Sequence, residues 1–350
     1  MKHRDGNDER RPPAQRPEGR DRSPTGPLPK PTPAVGAAGI PGLPLTGDAP
    51  WQPDPETFEK VDALIRGYRA GAVACLEPPV RSHYPELLAT PEYGKMLELS
   101  TKMTLVGHAA CEIAGYSYDE HRQTIGTLFG CCCFLADSFV DDFGPEATRE
   151  YLDRIRLLLT TGWFDVRTER ERLFYAIVGR LFAARDVLDP ILRQAIMLLF
   201  DAQKRDCELR LSRDFAALPR RARLRLLRVC ARDRSGHAIT VLTGFVAPRV
   251  EVAMLPYLFT AGALIMHIDD HGDCYADLRD GRLTYLNQVR NPAATLRKIF
   301  FEHAARLHAG LPPSDGRDLM LAFLTRYFLT RIEKHRLQKE HIGSAWAVYE

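Results

Sequence analysis

Residues 257–282, YLFTAGALIMHIDDHGDCYADLRDGR, join an apolar run to an acidic block with five aspartates within 12 positions. Three of them recur at every fourth residue, which on an α-helix places them within about 80° of arc on one face: Asp269, Asp273 and Asp277. Like charges at this spacing destabilise a helix by roughly 0.2–0.5 kcal/mol per pair unless something compensates. Because a hard cation bound through oxygen is the natural compensation, the segment predicts a helix with a Mg²⁺-binding face.

A second acidic cluster ends another apolar segment, LFGCCCFLADSFVDDFGPEA at 128–147. Asp137 and Asp141 are one helical turn apart, so their carboxylates lie about 6 Å from each other on one face, with Asp142 beside them. An isolated pair of this kind is more often a solvated helix end. Here both clusters follow apolar stretches, which predicts two metal-binding rims, 132 residues apart in sequence, facing each other across a helix-lined cavity.

The rest of the chain predicts one folded domain and one tail. Residues 1–52 are rich in Pro and Arg and poor in large apolar residues, which predicts a disordered tail. Residues 53–350 carry apolar residues at helical spacing, with breaks at Pro and Gly, and predict a single all-α domain. The clearest helical segments are 146–163, 170–185, 189–215 and 314–340.

Composition excludes several classes of protein. The 350 residues are 45% hydrophobic and 27% charged, and the net charge of +3 is too small for a nucleic-acid footprint. No apolar run reaches the roughly 18 residues of a membrane span, and no apolar signal region follows the basic start. The eight cysteines include no CxxC pair. We therefore expect a cytoplasmic protein without a membrane span, and a homodimer is left open.

The two acidic segments resemble the metal motifs of the class I isoprenoid synthases, most closely those of microbial terpene cyclases. DSFVD at 137–141 is similar to their D-D-x-x-D motif, with Ser138 in place of the second Asp. DDHGDCYAD at 269–277 keeps the spacing of their N-D-x-x-S-x-x-x-E motif. The resemblance implies a single-domain helical bundle with a central active-site cavity, three Mg²⁺ ions on the two clusters, and ionisation of an allylic prenyl diphosphate followed by cyclisation.

The second motif also resembles those of prenyl-condensing enzymes. Asp273 replaces the usual Ser, and DCYADLRDGRLTYL at 273–286 is similar to the motif ending of squalene and phytoene synthases. Asp269, Asp270 and Asp273 together are similar to the D-D-x-x-D of chain-elongating prenyl diphosphate synthases. A condensing enzyme is therefore the alternative function.

The resemblance also implies residues that bind the diphosphate. Cyclases carry an R-x-x-x-G pattern before the second motif, and RDRSG at 232–236 makes Arg232 or Arg234 the candidate. An Arg-Tyr pair closes over the diphosphate in many cyclases, and Arg326 and Tyr327 are such a pair. Arg282, in the Gly-Arg ending of the second motif, completes the set.

Side chains in the turns before the aspartates are expected to line the apolar part of the cavity: Phe134, Leu258, Phe259, Gly262, Ile265 and Met266. Helix core is the competing interpretation for each of them.

Two further functions are less favoured alternatives. His267 and His271 flank the second cluster, as in a metal phosphohydrolase, and a catalytically silent isoprenoid-binding protein would keep the same fold.

Overall fold

Helices make up the described part of the chain. The structure, a computed structural model, describes residues 51–342 except 143–144 and 186–189; at 138–142, 145, 210, 211, 213, 341 and 342 it describes the backbone alone. Within these residues every regular element is a helix and no strand is present, which confirms the all-α prediction. The α-helices are α1 (Pro55–His83), α2 (Pro91–Ile113), α3 (Glu120–Asp142), α4 (Pro145–Thr161), α5 (Glu169–Ala183), α6 (Pro190–Leu211), α7 (Arg213–Ala217), α8 (Arg220–Val246), α9 (Leu255–Arg279), α10 (Pro292–Gly310) and α11 (Asp315–Ile342).

Local sequence sets where these helices begin. The side chain of Asp54 accepts a hydrogen bond from the N–H of Thr57 at 2.7 Å, and Thr168 does the same for Glu171 at 3.1 Å. Such caps satisfy N–H groups that the first helical turn leaves without partners. Proline, whose missing N–H costs nothing at a helix start, is the first residue of α1, α2, α4, α6 and α10.

The predicted helix over 189–215 is interrupted. α6 ends at Leu211 and α7 begins at Arg213, because Ser212 between them has extended backbone angles, φ −81° and ψ 122°. A residue in this conformation cannot continue an α-helix. The other three predicted segments coincide closely with α4, α5 and α11.

Helix α9, which carries the second acidic cluster, packs against α8, α10 and α11. Glycines permit the close approach of α8 and α9. A Cβ atom on Gly262 would overlap the backbone carbonyl of Ser235, and one on Gly236 would overlap the ring of Phe259. This contact fixes the first half of α9 against α8 and directs its second half, with the aspartates, towards the cavity described below.

Trp51 belongs to the folded part of the protein. Its side chain is buried, and its ring lies 5.6 Å from that of Phe300 and 5.4 Å from that of Phe301. The predicted tail at 1–52 therefore includes one residue that packs into the core. Residues 1–50 lie outside the described part of the chain.

Within the described part of the chain, one segment is long and apolar enough to cross a membrane. By length and composition this is Val252–Arg279, with a hydropathy of 1.4, and half of its apolar window is buried among the other helices. The core helices of soluble proteins pass the same test, so the absence of a membrane span stays a prediction.

Candidate functional site

Described aspartates from both acidic segments line one cavity of about 440 Å³. Asp137 reaches it from the end of α3, and four acids reach it from α9: Asp269, Asp270, Asp273 and Asp277. α6 and α8 contribute Asp206 and Arg234 to the same wall. Residues that are 132 positions apart in sequence therefore share one site, as their positions at the rims of two apolar helices predict.

Asp137 is the member of the first cluster whose side chain the structure describes; the side chains of Asp141 and Asp142 lie outside the described residues. Its carboxylate is half exposed and accepts hydrogen bonds from Arg234 at 3.0 and 3.2 Å and from Gln203 at 3.1 Å. The first cluster is thus tied to α8 and α6.

Arg234 also binds a second, buried carboxylate. Its Nη1 donates to Asp206 at 2.9 Å, and both side chains are about nine-tenths buried. Burial disfavours the charged guanidinium, but Asp206, Asp137 and Asp270 outweigh it and raise the pKa of Arg234 above its usual value. Arg234 therefore presents a permanent positive charge to the acidic end of the cavity.

The second cluster is held by three side chains of α11. The hydroxyl of Tyr327 and the guanidinium of Arg331, at 2.6 Å, donate to Asp269, while the ammonium of Lys334 donates to Asp273. Burial raises the pKa of Asp269, but the neighbouring positive charges of Arg331 and Lys102 help to bring it below its usual value. Asp269 is accordingly ionised at neutral pH.

The end of α9 places Arg282 beside the cavity. Gly281 has a φ of 74°, a left-handed conformation that glycine adopts at little cost, and it turns the chain so that the N–H of Arg282 donates to the carbonyl of Asp277 at 2.7 Å. Both Asp277 and Arg282 line the cavity. The positive φ explains why position 281 is a glycine.

The aspartate side chains that line the cavity are chemically suitable ligands for a hard divalent cation. Carboxylate oxygens are the ligands that Mg²⁺ prefers, and Mg²⁺ keeps several waters, so it needs few protein ligands. Among the side chains that the structure describes, no three of His, Cys, Asp and Glu form one metal-binding group. Asp137, Asp269 and Asp273 instead meet Arg234, Arg331 and Lys334. Asp270 and Asp277 also line the cavity.

The predicted diphosphate-binding residues divide into two groups. Arg234, Arg282 and Tyr327 line the cavity. Arg232 and Arg326 are not among its described lining residues. Arg232 is half exposed and pairs with Asp233, whereas Arg326 donates to Asp62 of α1 at 2.9 Å. Sequence reasoning missed Arg331 and Lys334. They lie four and seven residues after Tyr327, a helical spacing that places all three on one face of α11 and is the signal that could have indicated them.

The apolar part of the cavity is built mainly by helices other than those predicted. Ile265 and Met266 line it, but the other predicted residues are not among the described lining residues: Phe134, Leu258, Phe259 and Gly262. The last three lie too near the start of α9, where that helix packs on α8. Seven unpredicted aromatic residues form much of the described wall: Phe129, Tyr151, Phe174, Phe182, Phe200, Phe245 and Phe323.

The two histidines of the second cluster lie away from the cavity wall formed by the described residues. His271 is fully buried, with its ring 4.2 Å from that of His335 on α11, and the buried ring of His267 lies 5.8 Å from that of Tyr285. Burial, reinforced by His335, lowers the pKa of His271 to about 3. At neutral pH the imidazole of His271 is therefore uncharged, with a hydrogen on only one of its two nitrogens.

Comparison with known proteins gives no match: no protein-family model and no curated protein sequence is similar to this chain. A proposal for the function of this protein therefore rests on the residues that line the cavity.

Proposed function

We propose that the protein is a Mg²⁺-dependent class I terpene synthase that ionises an allylic prenyl diphosphate and cyclises or rearranges the resulting cation. The observation that supports it is the composition of one cavity. Asp137 from the end of α3 and four aspartates from α9 lie at a wall that continues into apolar and aromatic side chains. A prenyl diphosphate has the same division into a highly charged end and a long apolar end.

The acidic end would bind the diphosphate through metal ions and fixed cations. Asp137, Asp269, Asp273 and Asp277 would hold Mg²⁺, with Asp141 and Asp142 as further ligands from the first cluster. Bound Mg²⁺ offsets the negative charge that develops on the leaving diphosphate. Arg234 and Arg282, which line the same wall, supply positive charge and hydrogen-bond donors for phosphate oxygens.

The apolar end would control the allylic cation. Water quenches such a cation, so the wall must exclude it. There the ring of Phe245 lies 6.5 Å from that of Phe129 and 5.7 Å from that of Phe182, measured between centroids. The face of an aromatic ring stabilises a nearby cation by about 0.5–2 kcal/mol. These rings can therefore both hold the isoprenoid chain and lower the energy of its cation.

A direct experiment separates the candidate reactions. The full chain is incubated with Mg²⁺ and prenyl diphosphates of monoterpene, sesquiterpene and diterpene length, each alone and together with isopentenyl diphosphate. Mass spectrometry then identifies the products. A terpene hydrocarbon or alcohol with release of diphosphate is expected, and formation of longer diphosphates alone would refute a cyclase. Substrate binding without turnover would favour a silent isoprenoid-binding protein.

The second candidate is a prenyl-condensing enzyme, and the second cluster favours it. Asp273 adds a charge where cyclases have a neutral ligand. The ending Gly281-Arg282, in which the N–H of Arg282 donates to the carbonyl of Asp277, is similar in sequence to the motif ending of squalene and phytoene synthases. A head-to-head product from two identical allylic diphosphates in the same experiment would establish this function.

A further inference from the structure

Two positively charged side chains of α11 contact the second acidic cluster. Arg331 donates to Asp269 at 2.6 Å, and its Nη1 lies 4.0 Å from Asp273. Lys334 donates to Asp273. With Tyr327, these residues are four and then three positions apart and therefore share one face of α11. Before any ligand binds, two of the predicted metal-ligating carboxylates are already in contact with positive charges.

The side chain of Arg331 is held between α11 and α9 by packing and hydrogen bonds. Its side chain is only 15% exposed and crosses α9 at Gly272, where a Cβ atom would overlap its Cδ and approach its Nε at 3.2 Å. Its Nη2 also donates to the hydroxyl of Tyr327 at 2.9 Å. A side chain larger than glycine at 272 would displace the guanidinium. The contact is therefore part of the helix packing and differs from an ordinary surface ion pair.

Lys334 is held less firmly. Its side chain is 37% exposed, and its ammonium contacts Asp273 at the edge of the cluster. The long, flexible stem of a lysine lets its ammonium move to another acceptor within reach. Of the two cations, Lys334 is the one that can leave its carboxylate without a change in the packing of α9 and α11.

We propose that Arg331 and Lys334 are counter-cations of the second cluster: they occupy oxygens of Asp269 and Asp273 that Mg²⁺ would coordinate, so that Mg²⁺ binds weakly until diphosphate binds with it. This inference rests on the proposed function. A divalent ion beside a guanidinium and an ammonium is repelled and must displace at least one of them. Phosphate oxygens coordinate Mg²⁺ and also accept hydrogen bonds from a displaced ammonium, so diphosphate compensates for the lost contact.

The experiment measures metal binding by the full chain. Mn²⁺ is used as the probe for Mg²⁺, and its binding is followed by electron paramagnetic resonance with and without inorganic diphosphate. For the unchanged protein we expect weak Mn²⁺ binding that diphosphate strengthens at least about tenfold, since a charge-assisted hydrogen bond alone is worth that much. Lys334→Met should bind Mn²⁺ alone about two- to fivefold more tightly, the value of a partly exposed ion pair. Its gain from diphosphate should be correspondingly smaller.

Two further variants and a control complete the design. Arg331→Gln and Gly272→Ala should both strengthen Mn²⁺ binding, the second because it displaces a guanidinium that is still present. Arg336→Gln is the matched control, because Arg336 lies on the same helix but pairs with Glu333 and Glu340. Its Mn²⁺ affinity should equal that of the unchanged protein. Circular dichroism checks that each variant is folded.

Two results would overturn the inference in distinguishable ways. If Lys334→Met and the folded variants at 331 and 272 bind Mn²⁺ no more tightly than the unchanged protein, these cations only anchor α11 to α9. Terpene synthesis by the unchanged protein would then leave the proposed function standing. If the unchanged protein binds neither Mn²⁺ nor diphosphate and makes no product, the proposed function fails together with the inference.

Discussion

The Nη2 atom of Arg234 on α8 bridges both carboxylate oxygens of Asp137 on α3, at 3.0 and 3.2 Å. The Nη1 atom of the same guanidinium donates to the buried Asp206 of α6 at 2.9 Å. One arginine therefore joins three helices at the acidic end of the cavity. Loss of the half-exposed Asp137 should therefore affect catalysis alone, whereas loss of the buried Arg234 should also affect stability.

Asp137→Ala should abolish turnover without unfolding the protein. Under the proposed function it removes a metal ligand, and because even residues that merely orient such ligands contribute 10- to 100-fold, we expect a loss of at least about 100-fold. Its side chain is half exposed, so helicity should remain. Product formation and far-ultraviolet circular dichroism test both statements. Asp201→Ala, at an exposed position of α6, is the control, and full activity of Asp137→Ala would remove Asp137 from the site.

Arg234→Met should destabilise the fold as well as the site. It leaves the buried carboxylate of Asp206 without its guanidinium, and breaking a buried ion pair in this way costs about 3–5 kcal/mol. Urea unfolding measures the loss. Arg232→Met is the matched control, because the half-exposed Arg232 pairs with Asp233 and should contribute about 1 kcal/mol or less. Equal effects of the two substitutions would contradict the assignment.

The buried His267 should make stability depend on pH. Burial, together with His303 and Arg228, lowers its pKa from 6.5 to about 3 in the folded protein. Below about pH 6.5 the unfolded chain takes up a proton that the folded protein does not. Protonation of the unfolded chain therefore lowers the free energy of unfolding. This free energy keeps its full value at neutral pH and falls by roughly 1.4 kcal/mol per pH unit as the pH drops from 6.5 towards 3.

The melting temperature measured between pH 7 and pH 4 tests this dependence. It should fall less steeply for His267→Gln, which does not titrate, than for the unchanged protein. The fall should not vanish, because the folded-state pKa of His271 is lowered to about 3 in the same way. Parallel curves for the two proteins would show that His267 makes no such contribution.

Phe245→Leu should slow turnover while largely preserving the packing of the cavity wall. The substitution keeps a large apolar side chain but removes a ring that lies beside Phe129 and Phe182. Loss of about 0.5–2 kcal/mol of cation stabilisation corresponds to about two- to thirtyfold in rate. Steady-state turnover and the product profile measure the effect. Phe301→Leu, which alters the contact with Trp51, is the control; an unchanged rate and profile for Phe245→Leu would place the cation elsewhere.

The features that sequence reasoning predicted are local ones. A helix through the apolar run and the aspartates is predicted and observed as α9, and the four-residue spacing of Asp269, Asp273 and Asp277 places them on one side of that helix whatever surrounds it. The glycine after this helix is equally local, since position 281 requires a positive φ.

Features that depend on how helices meet were not predictable in this way. Apolar residues of α4, α5 and α6 have the same periodicity whether they face a packed core or a cavity, so the aromatic wall at Phe174 and Phe200 gave no separate signal. The Pro-rich segment before Trp51 lacks helical periodicity, so the sequence predicts that Trp51 belongs to the tail. Its burial comes from Phe300 and Phe301, about 250 positions away.

Arg326 and Arg331 show the same division within one helix. The sequence alone determined that they differ by five residues, which is about 140° around a helix axis, so that both could not face α9. Only the tertiary structure decided between them. α11 is rotated so that Arg326 meets Asp62 of α1 and Arg331 meets Asp269 of α9. That rotation is set by packing between helices distant in sequence, including the stacking of Phe328 on Phe300 at 4.2 Å, and no local pattern in the chain encodes it.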